Sequence, residues 1–149
     1  MTPGSPLLVA ALGSLAAILV GYLAPRLWLV AILVAAGAAL AAAVIVLAGG
    51  ADWDWHSGFS VGGDPLHFWL DALSALFLAL LCVVGGAATV YAGEYWTDNA
   101  HPRSAPAGRF WWSVMLPNLG LVLLAANGLH FLLAWELFTL AAYFLITLD

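Results

Sequence analysis

The stretch Gly128–Leu148, GLHFLLAWELFTLAAYFLITL, decides the fold. It is long enough to cross a bilayer, which takes about 20 apolar residues. Near its middle stands a single carboxylate, Glu136. A charge at that depth costs at least ~2.5 kcal/mol on insertion scales, so it faces protein or water and marks an ion or proton path. On a helix Thr139 and Tyr143 share the face of Glu136. The opposite face is Leu, Ala and Phe. The polar stripe is therefore expected to point at a partner rather than at lipid.

Composition says the same of the whole chain. Of 149 residues, 65% are hydrophobic and 7% charged, and the mean hydropathy is +1.05. Soluble domains carry about 25% charged residues, so an integral membrane protein is indicated. No basic patch suggests nucleic acid. Cys82 is the only cysteine, which rules out an intrachain disulfide and the cysteine ligand sets of zinc or iron–sulfur sites.

Outward from the last stretch, the hydropathy predicts an all-α, polytopic membrane protein with about five transmembrane helices. The predicted spans are Leu7–Leu23, Leu27–Ala48, Leu66–Ala92, Phe110–Ala126 and Gly128–Leu148. Three regions follow: 1–65 with two helices and an outer loop, 66–109 with the third helix and a cytoplasmic loop, and 110–149 with the last two helices. Ala35, Ala36, Gly37, Ala38 and Ala39 allow close helix packing. Pro117 is expected to bend or break its helix, with Asn118 beside it to satisfy freed backbone groups. Asn127 and Gly128 form a tight turn. The first positive residue, Arg26, follows the first apolar stretch, so that stretch reads as a retained span rather than a cleaved signal.

The loop Gly49–Pro65 carries Asp52, Asp54, His56 and Asp64 and no Lys or Arg. Asp52, Asp54 and His56 alternate, as residues on one side of a strand do. Trp53 and Trp55 between them favour a hairpin anchored in the headgroups over a metal site, and no metal or other cofactor is expected. Asp71 reads as a helix N-terminal acid favoured by the dipole. Glu94, His101, Arg103 and Arg109 read as solvated loop charges. Arg26, Arg103 and Arg109 sit in loops on one side, which the positive-inside rule places in the cytoplasm, leaving the N-terminus outside. Seven of the tryptophans fall near span ends, as an interfacial belt does. Trp135 is the deep one, next to Glu136.

His130 lies six residues before Glu136, about 120° away around a helix. The two would not touch, and only a weak relay through water would link them. Burial raises a carboxyl pKa, so Glu136 reads either as a neutral buried acid or as a proton-exchanging group.

The segment LHFLLAWELFTLAAYFLI resembles the fifth span of antiporter-like membrane subunits. These occur in respiratory complex I, in formate hydrogenlyase and related energy-converting hydrogenases, and in multi-subunit cation/proton antiporters. The segment FWLDALSALFLALLCVVGGAATVYAGEYW (Phe68–Trp96) is similar to the family's N-terminal segment, and the order and spacing of the two agree. The resemblance covers Phe68 to Leu148. It implies that Glu136 belongs to a line of mid-membrane ionisable groups and pairs with a lysine two spans further on. No such span is present here. Family members run to many more helices built as inverted repeats. The chain is then expected to be a fragment or one piece of a split subunit, with another chain or segment supplying the lysine.

The resemblance further implies a non-catalytic, cofactor-free membrane subunit of a redox-driven, proton-translocating complex of the quinone reductase or hydrogenase type. It would sit in the inner (plasma) membrane among other membrane subunits. Two alternatives stand beside it: a subunit of a multi-subunit cation/proton antiporter, and a truncated membrane protein that transports nothing.

Overall fold

A computed structural model describes residues 2–148. The elements run α1 (Gly4–Val20), α2 (Pro25–Leu47), β1 (Trp53–Val61), β2 (Asp64–Leu70), α3 (Ala72–Tyr95), α4 (Ala105–Leu124) and α5 (Gly128–Ile146). Helices α2, α3 and α5 are long and apolar enough to cross a membrane. Helix α1 is apolar but has 17 residues. Helix α4 has 20 residues but carries Arg109, Ser113, Pro117 and Asn118. The molecule is mostly helical, and it departs from an all-α chain by one hairpin.

Helix α2 packs between α1 and α3; α4 packs on α1 and α3; α5 lies outside this group and rests chiefly on α4. The interior is built from small residues. Ala42, Ala43, Val46, Leu70, Ala75, Leu78 and Cys82 form one cluster, and Ala17, Trp28 and Ile32 form a second. Large apolar side chains such as Leu8, Leu12, Leu15, Leu19, Val83 and Val84 point outward, whereas Thr89, Arg109, Ser113, Asn118 and His130 are buried. This inverts the pattern of a soluble domain. It suits a lipid surround, where small residues let helices approach and polar groups join them.

The close approach is clearest at Gly13. A Cβ there would lie 3.1 Å from the Cβ of Ala35 and 3.2 Å from the carbonyl oxygen of Ala31. Of the small-residue run on α2, Ala35 is buried in this contact, but a Cβ on Gly37 would meet nothing within 4 Å.

The third helix starts at Ala72, not at Leu66. The residues read as its first turn form β2, which pairs antiparallel with β1: Trp53 opposite Leu70, Trp55 opposite Phe68, His56 opposite His67. Gly62 and Gly63 close the hairpin at φ 67° and 97°, the left-handed pair that tight hairpin turns require. The alternation Leu66, Phe68, Leu70 against His67 and Trp69 has period two, so it satisfies a strand and cannot present one helix face. Asp71, rather than Asp64, begins the helix: its Oδ1 accepts the Ser74 N–H at 2.7 Å. That bond holds the Asp71 carboxyl below its usual value. The region boundary drawn between 65 and 66 therefore cuts through the hairpin.

Helix α4 starts at Ala105 and continues through Pro117 to Leu124, so the proline does not break it. Asn118 Nδ2 donates to the carbonyl of Val114 at 2.7 Å. Pro117 frees the Ser113 carbonyl, and the asparagine serves the neighbouring one.

Two ends of the bundle differ. One gathers the hairpin, Gly4 against Trp53, and the α4–α5 turn, where Ala126 N–H donates to the His67 carbonyl at 3.0 Å. Phe68 and Ala125 also form a bridge there. The other end holds the α1–α2 connection, the end of α3 and the start of α4. Arg26, Arg103 and Arg109 all belong to this second end, while Asp52, Asp54, Asp64 and Asp71 belong to the hairpin end.

Arg109 is not a solvated loop charge. It lies in α4 and is 7% exposed. Its Nε donates to the Gly21 carbonyl at 2.7 Å, and its Nη1 and Nη2 meet the Asp98 carboxylate at 2.6 and 3.3 Å. Two tryptophans assigned to the interfacial belt also bond within the bundle. Trp28 donates to Ser113 Oγ at 2.8 Å, and Trp112 donates to Thr89 Oγ1 at 2.8 Å.

Candidate functional site

Asn127 caps the start of helix α5: its Oδ1 accepts the His130 N–H at 2.9 Å. Its buried residues are His130, Ala134 and Ala141. At about 100° per residue these three fall within a narrow arc. The small alanines let α5 lie close to α4.

Glu136 projects from the other side. It is exposed, as are Thr139 and Tyr143. Helical rotation puts Ala134 about 160° and Ala141 about 140° from Glu136. The Glu–Thr–Tyr stripe thus turns away from the chain's own bundle. Among the described residues the Glu136 carboxylate has neither a hydrogen bond nor a salt bridge. Thr139 is satisfied along its own helix, donating to the Trp135 carbonyl at 2.8 Å.

Beside the carboxylate runs an aromatic ridge. Trp135 stacks on Phe131 at 5.9 Å and meets Phe138 edge-on at 5.9 Å. Trp135 is 47% exposed. The surface around Glu136 is apolar and open, and nothing among the described residues covers the carboxylate.

His130 occupies the buried face. The residue is 5% exposed, and neither Nδ1 nor Nε2 finds a partner among the described residues. A buried polar group left so costs ~1–3 kcal/mol. His130 and Glu136 thus lie on different faces of α5, one against α4 and one facing outward.

A cavity of about 700 Å³ opens at the arginine end, lined in part by Arg26, Glu94, Asp98, Asn99 and Arg109. The Arg109–Asp98 pair forms its wall, and this arrangement was invisible in the sequence. The arginine looked like loop charge because the start of α4 was placed too late. Ser104 and Pro106, the N-cap and a first-turn proline, were the available signals.

One group among the described residues has metal-ligand spacing: Asp54, His56 and His67. The sequence paired Asp54 and His56 with Asp52, which lies outside β1. His67 was missed because it was counted inside a span. The paired glycines and the alternation around it were the signals that could have found it.

No protein-family model matches the chain, and no curated protein matches it.

Proposed function

We propose that the chain is the N-terminal part of an antiporter-like, proton-translocating membrane subunit, and that Glu136 is its proton-exchanging group. One observation carries this reading. The lone carboxylate of α5 sits mid-helix on a face turned away from its own bundle, next to an open apolar ridge. Lipid would penalise that charge by at least ~2.5 kcal/mol. A neighbouring span with a cation removes the penalty and sets the acid's proton affinity. The antiporter-like resemblance of the segment around Trp135, Glu136 and Leu137 supplies the kind of partner: a lysine on a later helix, from another chain or a continuing segment.

In this reading five helices cross the inner (plasma) membrane, α1 and α4 held among the more apolar spans. The arginine end faces the cytoplasm and the hairpin end lies outside, as the positive-inside rule orders them. Redox chemistry takes place in other subunits, and this chain carries no cofactor for it. A change at the redox centre alters the pairing of Glu136 and so its protonation.

The test is Glu136→Gln in the assembled complex, with protons moved per redox turnover measured in sealed vesicles. Glutamine keeps the shape and loses the titration. The expected result is a chain that still inserts and assembles while pumping drops. An unchanged proton stoichiometry would refute the role given to Glu136.

A further inference from the structure

We infer that the polar face of the hairpin is a binding site for a divalent transition metal, with zinc as its representative ion, held by Asp54, His56 and His67. The inference is independent of the function proposed for Glu136. It begins with strand geometry. Asp54 and His56 are two apart on β1 and so share a face. His67 is the cross-strand partner of His56, and directly opposite residues project to the same side. Three side chains rich in metal-binding atoms therefore converge without any long-range packing.

The distances fit. Asp54 Oδ1 lies 2.9 Å from His67 Nε2 and 3.4 Å from His56 Nδ1, and the three ligand atoms all fall within 4.8 Å of one another. Zinc binds nitrogen and carboxylate oxygen at about 2.0–2.2 Å, which puts two tetrahedral ligands about 3.4 Å apart. The Asp54–His56 edge already has that length. The Asp54–His67 edge must open by about half an ångström. The imidazoles stack with centroids 3.8 Å apart and planes 21° apart, so the two exposed rings must splay by roughly an ångström for both nitrogens to reach one ion.

The donor set selects the metal. Two imidazoles and one carboxylate suit zinc, copper, nickel or iron, whereas magnesium and calcium prefer all-oxygen shells. His56 and Asp54 are both more than half exposed. The ion therefore enters from solvent and keeps a fourth position for water.

The opposite face of the hairpin explains why the site is held. Trp55 stacks on Phe68 at 5.8 Å, and Leu70 is fully buried. That face docks on the helices and leaves the ligand face free. His67 itself is tied to the α4–α5 turn through its carbonyl. Closing a metal across β1 and β2 therefore stiffens the connection that starts α5.

The test uses the full chain purified in detergent, with any affinity tag removed, titrated with Zn2+ by calorimetry. Asp54→Asn, His56→Gln and His67→Gln are compared with His101→Gln, whose ring stacks on Trp96 at the other end. One saturable Zn2+ per chain is expected, weakened about tenfold or more in each cluster variant and unchanged in His101→Gln. A second measurement needs no variant: Zn2+ should shield His56 and His67, but not His101, from diethyl pyrocarbonate in the wild-type chain. Absence of saturable binding, binding indifferent to all three substitutions, or equal shielding of His101 would each overturn the site.

Discussion

Arg109 donates its Nε–H to the carbonyl oxygen of Gly21, 2.7 Å away and 88 positions earlier in the chain. One guanidinium thereby joins the start of α4 to the α1–α2 connection while its other edge holds Asp98. A hydrogen bond to a charged group contributes about 1.5–3 kcal/mol. Arg109→Ala should lose about that much in a denaturation series. Arg109→Lys should recover little of it, because an ammonium lacks the fork that reaches both partners. Asp98 is 43% exposed but its partner Arg109 only 7%, so Asp98→Ala leaves a buried guanidinium short of its acceptor and should cost a comparable ~1–3 kcal/mol.

Trp28 and Ser113 give a second measurable pair. Ser113→Ala leaves the indole N–H of Trp28 buried without its acceptor, at a cost of ~1–3 kcal/mol. Adding Trp28→Phe removes the stranded donor. The double variant should therefore lose less than the two single losses summed, and a thermal-melting cycle reads the difference.

Two glycines in neighbouring helices should answer oppositely to the same change. Gly13→Ala drives a methyl against Ala35 and the Ala31 carbonyl, and overpacking of this kind costs ~1–3 kcal/mol. Gly37→Ala meets open space and should gain roughly 0.5–1 kcal/mol from reduced backbone freedom. Melting temperatures of the two variants should fall on opposite sides of the wild type.

Asp71 sets a pH dependence. The Ser74 N–H holds its carboxyl below the usual 3.8. A depressed carboxylate contributes stability that is fully present above its unfolded value and is lost as pH falls through the folded one. Asp71→Ala should lose about 1 kcal/mol at neutral pH, the usual worth of an N-cap. That gap should narrow below pH 3.8. Asp71→Asn keeps the cap and should flatten the pH profile, seen as a melting temperature followed from pH 7 downward.

Long apolar runs were legible in the sequence because twenty consecutive hydrophobic residues admit few structures. The fifth helix was placed at Gly128 and begins there; its far end, set at Leu148, falls at Ile146. The hairpin was only half legible. Trp53 and Trp55 marked the first strand, but Leu66, His67 and Phe68 were absorbed into a span, because hydropathy averaged over a window hides a period of two. His67 was lost from its cluster for that reason. Arg109 was misread on different grounds: burial of a charge depends on Gly21 and Asp98, and neither contact leaves a local trace in composition. The Glu136 stripe was legible because a helical period alone puts Thr139 and Tyr143 beside it.

The arginines gather at one end of the bundle and the hairpin aspartates at the other, and this makes the molecule an electrical object as well as a packed one. Carrying one elementary charge across a potential of 100 mV takes about 2.3 kcal/mol. In an energised membrane the potential therefore favours the arrangement with the arginines on the negative side. Inverting the bundle would work against the field at both ends at once. Any voltage across the bilayer would then act on both ends of the bundle in the same sense.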